Sequence, residues 1–235
     1  MLRRSTVHSR QATNMKTARP LSLLFVSFLF VSLLSGPSVA DPASEAFVRR
    51  NQEELVSALR EGDRTKIDEV FDAMIDYPTI GRDSLGEYWG ELSVVQQEYF
   101  VCILKTLVSD AYRRDLRKTL DYQVEFQGSD EVERGSLVKT VAKSKTDKRE
   151  DPISINYVVH RVGKDKTLMV RDIVTEGSSL VNSYRSQFRR IIEKKGKKKG
   201  VDELFQLMEK KLEKRRAKEK GSEGTSKTCS PPEAK

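Results

Sequence analysis

Apolar residues recur at helical spacing through the first stretch after Ala40. Phe47, Leu55 and Leu59 mark a helix over 43–60, and Ile67, Val70, Phe71 and Met74 mark a second over 65–74. Tyr77-Pro78 breaks the second, and a short helix over 80–89 stops near Gly90. Ser93 opens the longest helix, with Gln96 three residues on as a capping box. Within it Phe100, Ile103, Leu104, Leu107, Val108 and Ala111 form one wide apolar stripe. At Leu120 the period changes to two. Leu120, Tyr122, Val124 and Phe126 alternate with polar neighbours, which predicts a strand with one wet and one buried face. Strand-like runs over 136–145, 153–161 and 167–175 follow, joined by short polar turns that imply antiparallel neighbours. Ile153, Ile155, Tyr157 and Val159 make the clearest inward row. Helices resume over 179–196 and 201–212, and after Leu212 almost no apolar residue remains, so a basic disordered tail is expected over 213–235.

The run Leu21–Leu34 is apolar apart from three serines, follows Lys16 and Arg19, and ends in Ser38-Val39-Ala40. It is too short to span a bilayer and carries small residues where a signal peptidase cuts. Residues 1–40 therefore read as a cleaved secretory signal, with Asp41 as the first mature residue and Met1 or Met15 as the start. This changes the meaning of the net charge of +8 over 235 residues. The leader carries five basic and no acidic residues, the stretch from Lys194 onward carries 14 basic and seven acidic ones, and the segment between is net acidic. The folded body is thus not a basic nucleic-acid binder, and an exported chain rarely meets nucleic acid. The lysine-rich end reads as a solvated helix end, with assistance to docking near an anionic membrane as the alternative.

Candidate catalytic chemistry is sparse. His160 is the one histidine after the leader and reads as an ordinary edge or surface residue. Asp72 with Asp76, and Asp130 with Glu131, read as solvated turns and helix faces rather than acid/base pairs. Cys102 in the long helix and Cys229 in the polar tail are not expected to pair, Cys102 being read as a small core residue. No phosphate loop, nucleophile elbow or metal-ligand cluster stands out, so an enzyme is not expected and neither a metal nor another cofactor is called for.

One segment carries a specific resemblance. The run Val170-Arg171-Asp172-Ile173-Val174-Thr175-Glu176-Gly177-Ser178-Ser179-Leu180-Val181-Asn182-Ser183-Tyr184-Arg185-Ser186-Gln187-Phe188 resembles the signature of the MlaC/Ttg2D family of periplasmic phospholipid-binding proteins, auxiliary components of toluene tolerance. Phe71-Asp72 leading into Ser84-Leu85-Gly86-Glu87-Tyr88-Trp89, then Leu92-Ser93 and Gln96 to Phe100, is similar to the same family, as is the closing 200–212 segment. The resemblance spans about 47–212, so the expected organisation is a leader over 1–40, an MlaC-like domain over 41–212 and the tail.

The resemblance implies an α+β fold in which a twisted antiparallel sheet, four-stranded on the pattern above, is wrapped by helices around an apolar pocket. It implies a carrier shuttling phospholipid through the periplasm between an outer-membrane lipoprotein complex and an inner-membrane ABC transporter with an MCE-domain subunit. The physical need is plain: exposing some 30 methylenes of a diacyl lipid to water costs on the order of 25 kcal/mol. The expected lipid contacts are Phe100, Leu104, Leu107, Val108 and Tyr112 on the long helix, Ile153, Ile155, Tyr157 and Val159 on the third strand, and Ser178, Leu180 and Val181 at a pocket mouth. Each of these positions reads equally well as plain core. Tyr184 and Arg185 are left open between headgroup, partner and mutual contact. A periplasmic binding module for another lipid such as a hopanoid, and a protein-binding adaptor with a filled core that binds no lipid, are the alternatives.

Overall fold

The first described residue already ties the chain into its fold. Asp41 Oδ1 accepts the amides of Ala43 (3.1 Å) and Ser44 (3.3 Å) and so caps helix α1, Pro42–Glu61. Its Oδ2 accepts the hydroxyls of Ser44 (2.6 Å) and Ser136 (2.8 Å), and its own amide donates to Ser129 Oγ (2.8 Å). The computed structural model describes residues 41–219 and Cys229, which belong to a compact unit over 37–235; the expected leader and the rest of the tail lie outside the described residues.

Helix α2, Arg64–Met74, is capped by Asp63, and α3, Tyr77–Leu85, by Asp76, each carboxylate accepting an amide three residues on. The break at Tyr77-Pro78 is thus a helix start, because Pro is pre-organised for the first turn and its missing N–H costs nothing there. Where the spacing predicts one helix over 80–89, α3 ends at Leu85 and a 3-10 turn spans Gly86–Glu91. Helix α4, Val94–Thr119, opens with the expected capping box, Ser93 N–H donating to Gln96 Oε1 and Gln96 N–H to Ser93 Oγ.

The sheet is an antiparallel meander in the order β1 (Tyr122–Val132), β2 (Gly135–Ser144), β3 (Ile153–Val162), β4 (Thr167–Thr175) and β5 (Ser178–Ser179). It has five strands, not four. The tight turn at Glu176-Gly177, both at positive φ, folds Ser178–Ser179 back onto Val174 and Thr175. Two residues carry no alternation that a pattern could detect. β1 also outruns its expected end, because a bulge between Phe126 and Ser129, with Gly128 at φ 85°, resets the alternation. Helix α5 runs Leu180–Lys195 and α6 Lys197–Glu219, past the expected stop at Leu212. The two helices meet at Gly200, where a Cβ would lie 2.2 Å from the Ile192 carbonyl oxygen. One continuous core joins the helices to one face of the sheet, with Phe100, Ile80, Ile103, Leu104, Ile192 and Leu204 its largest fully buried side chains.

Contrary to expectation, Cys102 and Cys229 form a disulfide, with Cα atoms 5.8 Å apart. The separation of 127 residues hides the fact that α6 packs along α4. His160 likewise departs from its reading as a surface residue. It sits on a central strand, 16% exposed, with Nε2 2.8 Å from Oδ2 of Asp76, which is itself buried at the start of α3. Asp76 is therefore a buried cap rather than a solvated helix face, while Asp72 pairs with Lys105 (2.6 Å) and Asp130 with Lys139 (3.0 Å).

Two stability predictions follow from these ties. Burial alone would raise the Asp41 carboxyl, but hydrogen bonds from Ser44, Ser136 and the Ala43 and Ser44 amides outweigh it and hold the group below its ordinary 3.8. A depressed carboxyl adds stability above its unfolded value and loses it as pH falls through the folded one. Asp41→Ala should cost about 1–2 kcal/mol in urea unfolding near pH ~7 and much less near pH ~2, and an equal loss at both would contradict the assignment. Replacing Cys102 and Cys229 together by Ser opens a loop of 127 residues and should cost about 2–5 kcal/mol in the same measurement. A change under about 1 kcal/mol would show that the bridge does little for the fold.

Candidate functional site

The inward face of the meander is covered at one end and half open at the other. At the covered end one row runs Ser129, Val138, Tyr157, Ile173 and the next Ser136, Val159, Val170 across the paired strands. Val138, Val159, Val170 and Ile173 are buried there. The next rows are Phe126, Thr140 and Ile155, then Val124, Ala142 and Ile153, the bulge adding one residue between Phe126 and Ser129 on β1. In these rows Val124 is 37% exposed, and Phe126, Ile155 and Ile153 are only half buried. Thr140 and Ala142 remain covered between them, and Thr140 Oγ1 donates to the Ile155 carbonyl, so the polar group within the face is satisfied.

Helix α1 crosses this face. It starts at the covered end, where Asp41 is bonded to Ser129 and Ser136, and passes Tyr157, whose hydroxyl accepts from Gln52 Nε2 at 2.9 Å. Leu55 and Leu59, roughly one and two turns beyond Gln52, are half buried and pack on the core. Burial pushes the Tyr157 phenol up, and the Gln52 bond opposes this only in part, so the ring stays neutral at ordinary pH. The half-open end therefore presents the aliphatic surface of Val124, Ile153 and Ile155, with the neutral Tyr157 hydroxyl and the Arg49 guanidinium, which stacks 3.9 Å from the Phe126 ring centroid, as its polar groups.

The expected lipid contacts divide between core and this face. Phe100, Leu104, Leu107, Val108, Val159 and Val181 are buried in the main cluster, and Ile155 and Tyr157, partly buried, pack against it. Phe100 in particular is enclosed edge-on by Trp89, Phe188 and Phe205. Ile153 and Leu180 are half buried outside the cluster, Ser178 is exposed on β5, and the Tyr112 side chain lies outside the described residues. Val124, Phe126, Leu55 and Leu59 were not among the expected contacts. The alternation from Leu120 to Phe126 marked the first pair, but alternation alone says which face is inward and not which end of it is covered.

The signature residues around Asp172 hold α5 in place. Asp172 Oδ1 accepts the amides of Ile173 and Val181, and Oδ2 accepts the Ser179 hydroxyl, which fixes the first turn of α5 to the sheet edge. Arg185 donates through Nε (2.8 Å) and Nη2 (2.6 Å) to the Asp83 carbonyl near the end of α3, and Tyr184 stacks on Phe188. Asp83 in turn bonds Arg171 and lies 3.6 Å from Arg134. Within the chain, then, Tyr184 and Arg185 make structural contacts.

Two open hollows are present, the first along the start of α1. One, of about 360 Å³, is lined by Pro42, Arg49, Glu53 and Ser129 among others, and one of about 510 Å³ by Trp89, Val94, Val101 and Thr106 among others. Neither is lined by an expected lipid contact. Among the described residues no group of three or more His, Cys, Asp or Glu is placed to hold a metal ion.

Comparison with known proteins bears on this geometry. A solved structure of the phospholipid-binding protein from Ralstonia solanacearum, in complex with a phospholipid, matches with a TM-score of 0.60 at 20% identity, over 71% of this chain and 95% of that one. At that identity the likeness is one of fold. No curated protein matches. The family described as MlaC protein matches residues 44–210, from the first turn of α1 to the middle of α6, and the chain belongs to the MlaC family.

Proposed function

We propose that this protein carries a phospholipid through the periplasm, with the acyl chains against the half-open end of the sheet beneath α1. It would exchange lipid between an outer-membrane lipoprotein complex and an inner-membrane ABC transporter bearing an MCE-domain subunit. The observation that carries the reading is the graded face: Val124, Phe126, Ile153 and Ile155 continue the core rows yet are left partly uncovered. Apolar surface of this kind gains from being covered, at about 25 cal/mol per Å². Membership of the MlaC family and the likeness to a phospholipid-bound relative support the ligand class. The Cys102–Cys229 bridge suits an oxidising compartment outside the cytoplasm. Binding rather than catalysis is the role in this reading, and the lipid is cargo rather than cofactor.

Organic extraction of the protein purified from cells, followed by mass spectrometry, should recover phospholipid in near-stoichiometric amount. Recovery of none would overturn the carrier reading, and recovery of a hopanoid in its place would keep the fold of the argument but change the cargo. Face and core can also be told apart. Val124→Gln with Ile155→Gln should lower bound lipid several-fold while leaving most of the stability, because both sites are already part-exposed. Leu104→Ala, at a site 1% exposed, should cost about 2–5 kcal/mol in unfolding instead. Unchanged lipid content in the double Gln variant would place the acyl chains elsewhere.

A further inference from the structure

The two most exposed large apolar residues described are neighbours. Val94 and Val95, 68% and 56% exposed, form the first turn of α4. Single exposed aliphatic residues are ordinary, but an adjacent pair projecting from a helix start is a compact apolar tip. The α5–α6 corner carries five lysines in six positions, Lys194 and Lys195 at the end of α5 and Lys197, Lys198 and Lys199 in the first turn of α6, all exposed. The two features share one end of the molecule. Lys197 Nζ lies 4.0 Å from Glu91 Oε1, just before α4. Further along, Tyr99 stacks on Phe205 at 5.8 Å and donates to Glu209 (2.6 Å), so α4 and α6 run side by side from the same end.

The lysines break a local rule. The start of a helix carries partial positive charge and favours acidic residues, yet the first turn of α6 has no acid and three lysines. The acids nearby offset only part of this charge: Glu91 faces Lys197, Asp202 and Glu203 lie in the following turn, and Glu193 is engaged by Arg189 at 2.7 Å, so the five lysines keep a positive excess. Placement against local preference is a mark of function elsewhere. Arg would grip an acidic protein by paired hydrogen bonds, and protein interfaces are enriched in Arg and aromatic anchors. A cluster of Lys, each a mobile point charge on a long apolar stem, matches the diffuse charge of a lipid surface. Two valines at the same level would enter the boundary between headgroups and acyl chains. Because the attraction fades within a Debye length of about 8 Å, it acts only if lysines and apolar tip approach the bilayer together, which their shared end allows.

We propose that this end, formed by the start of α4 and the α5–α6 corner, docks the protein on an anionic bilayer. The inference rests on that surface alone and holds whatever cargo the sheet carries. Sedimentation with vesicles of phosphatidylcholine, with and without about 30 mol % phosphatidylglycerol, tests it on the protein as recovered from cells. Binding is expected to the anionic vesicles and to vanish near ~0.5 M salt. Lys197→Gln, Lys198→Gln and Lys199→Gln together should weaken it roughly tenfold or more. Val94→Thr with Val95→Thr should weaken it several-fold, with melting unchanged in both variants because every replaced side chain is exposed. No binding, equal binding to neutral vesicles, or a lysine variant that binds as the parent does would overturn the proposal. A valine variant that binds as the parent does would overturn the part assigned to insertion.

Discussion

An antiparallel meander with one apolar face must have that face removed from water, and in this chain a single helix does much of the covering. Helix α1 is pinned at one end by the Asp41 carboxylate, which satisfies helix amides and a sheet hydroxyl at once. From there it crosses the sheet, so the rows beneath its start are sealed and those beyond Tyr157 are not. The partly uncovered end is a consequence of this geometry rather than of a change in composition. Val124 and Ile153 are as apolar as Val138 and Val159; what differs is what lies above them.

The second constraint is the edge of the sheet. β4 would present unpaired backbone groups, and three devices cover it: the two-residue strand β5, the bridge between Ile75 and Val170, and the first turn of α5 held on Asp172. The same elements tie the helices together. Asp76 caps α3, its carboxylate accepts from His160 Nε2 on β3, and its amide donates to the Val170 carbonyl. Arg185 closes the other end of α3. The long signature that identifies the family is therefore largely a device for locking α5 and α3 onto β4.

Much of this was legible in the chain. The helical stripe from Phe100 to Val108, the capping box at Ser93 and the inward row of β3 all appear as read, because local period and cap chemistry act over a few residues. Boundaries failed where a local exception intervened: Pro78 starts a helix, Gly128 resets the β1 alternation, and β5 is too short to have a period. For the expected lipid contacts, the pattern showed that they are apolar and not which of them are enclosed. Phe100 and Ile155 carry the same signal in sequence, yet one is enclosed by three aromatic rings and the other sits at an open row.

The sequence by itself determined the period of each element, the inward faces and, through the motif from Asp172 to Phe188, the family. These depend on neighbours within a few residues. Tertiary structure alone decided that Cys102 meets Cys229, that His160 finds Asp76, and that Lys197 stands beside the start of α4. It also decided which end of the sheet stays uncovered. Those facts join residues some 84 to 127 positions apart, and in one case 106. No local pattern encodes a meeting at that range, because it is fixed only when all the helices have found their places on the sheet.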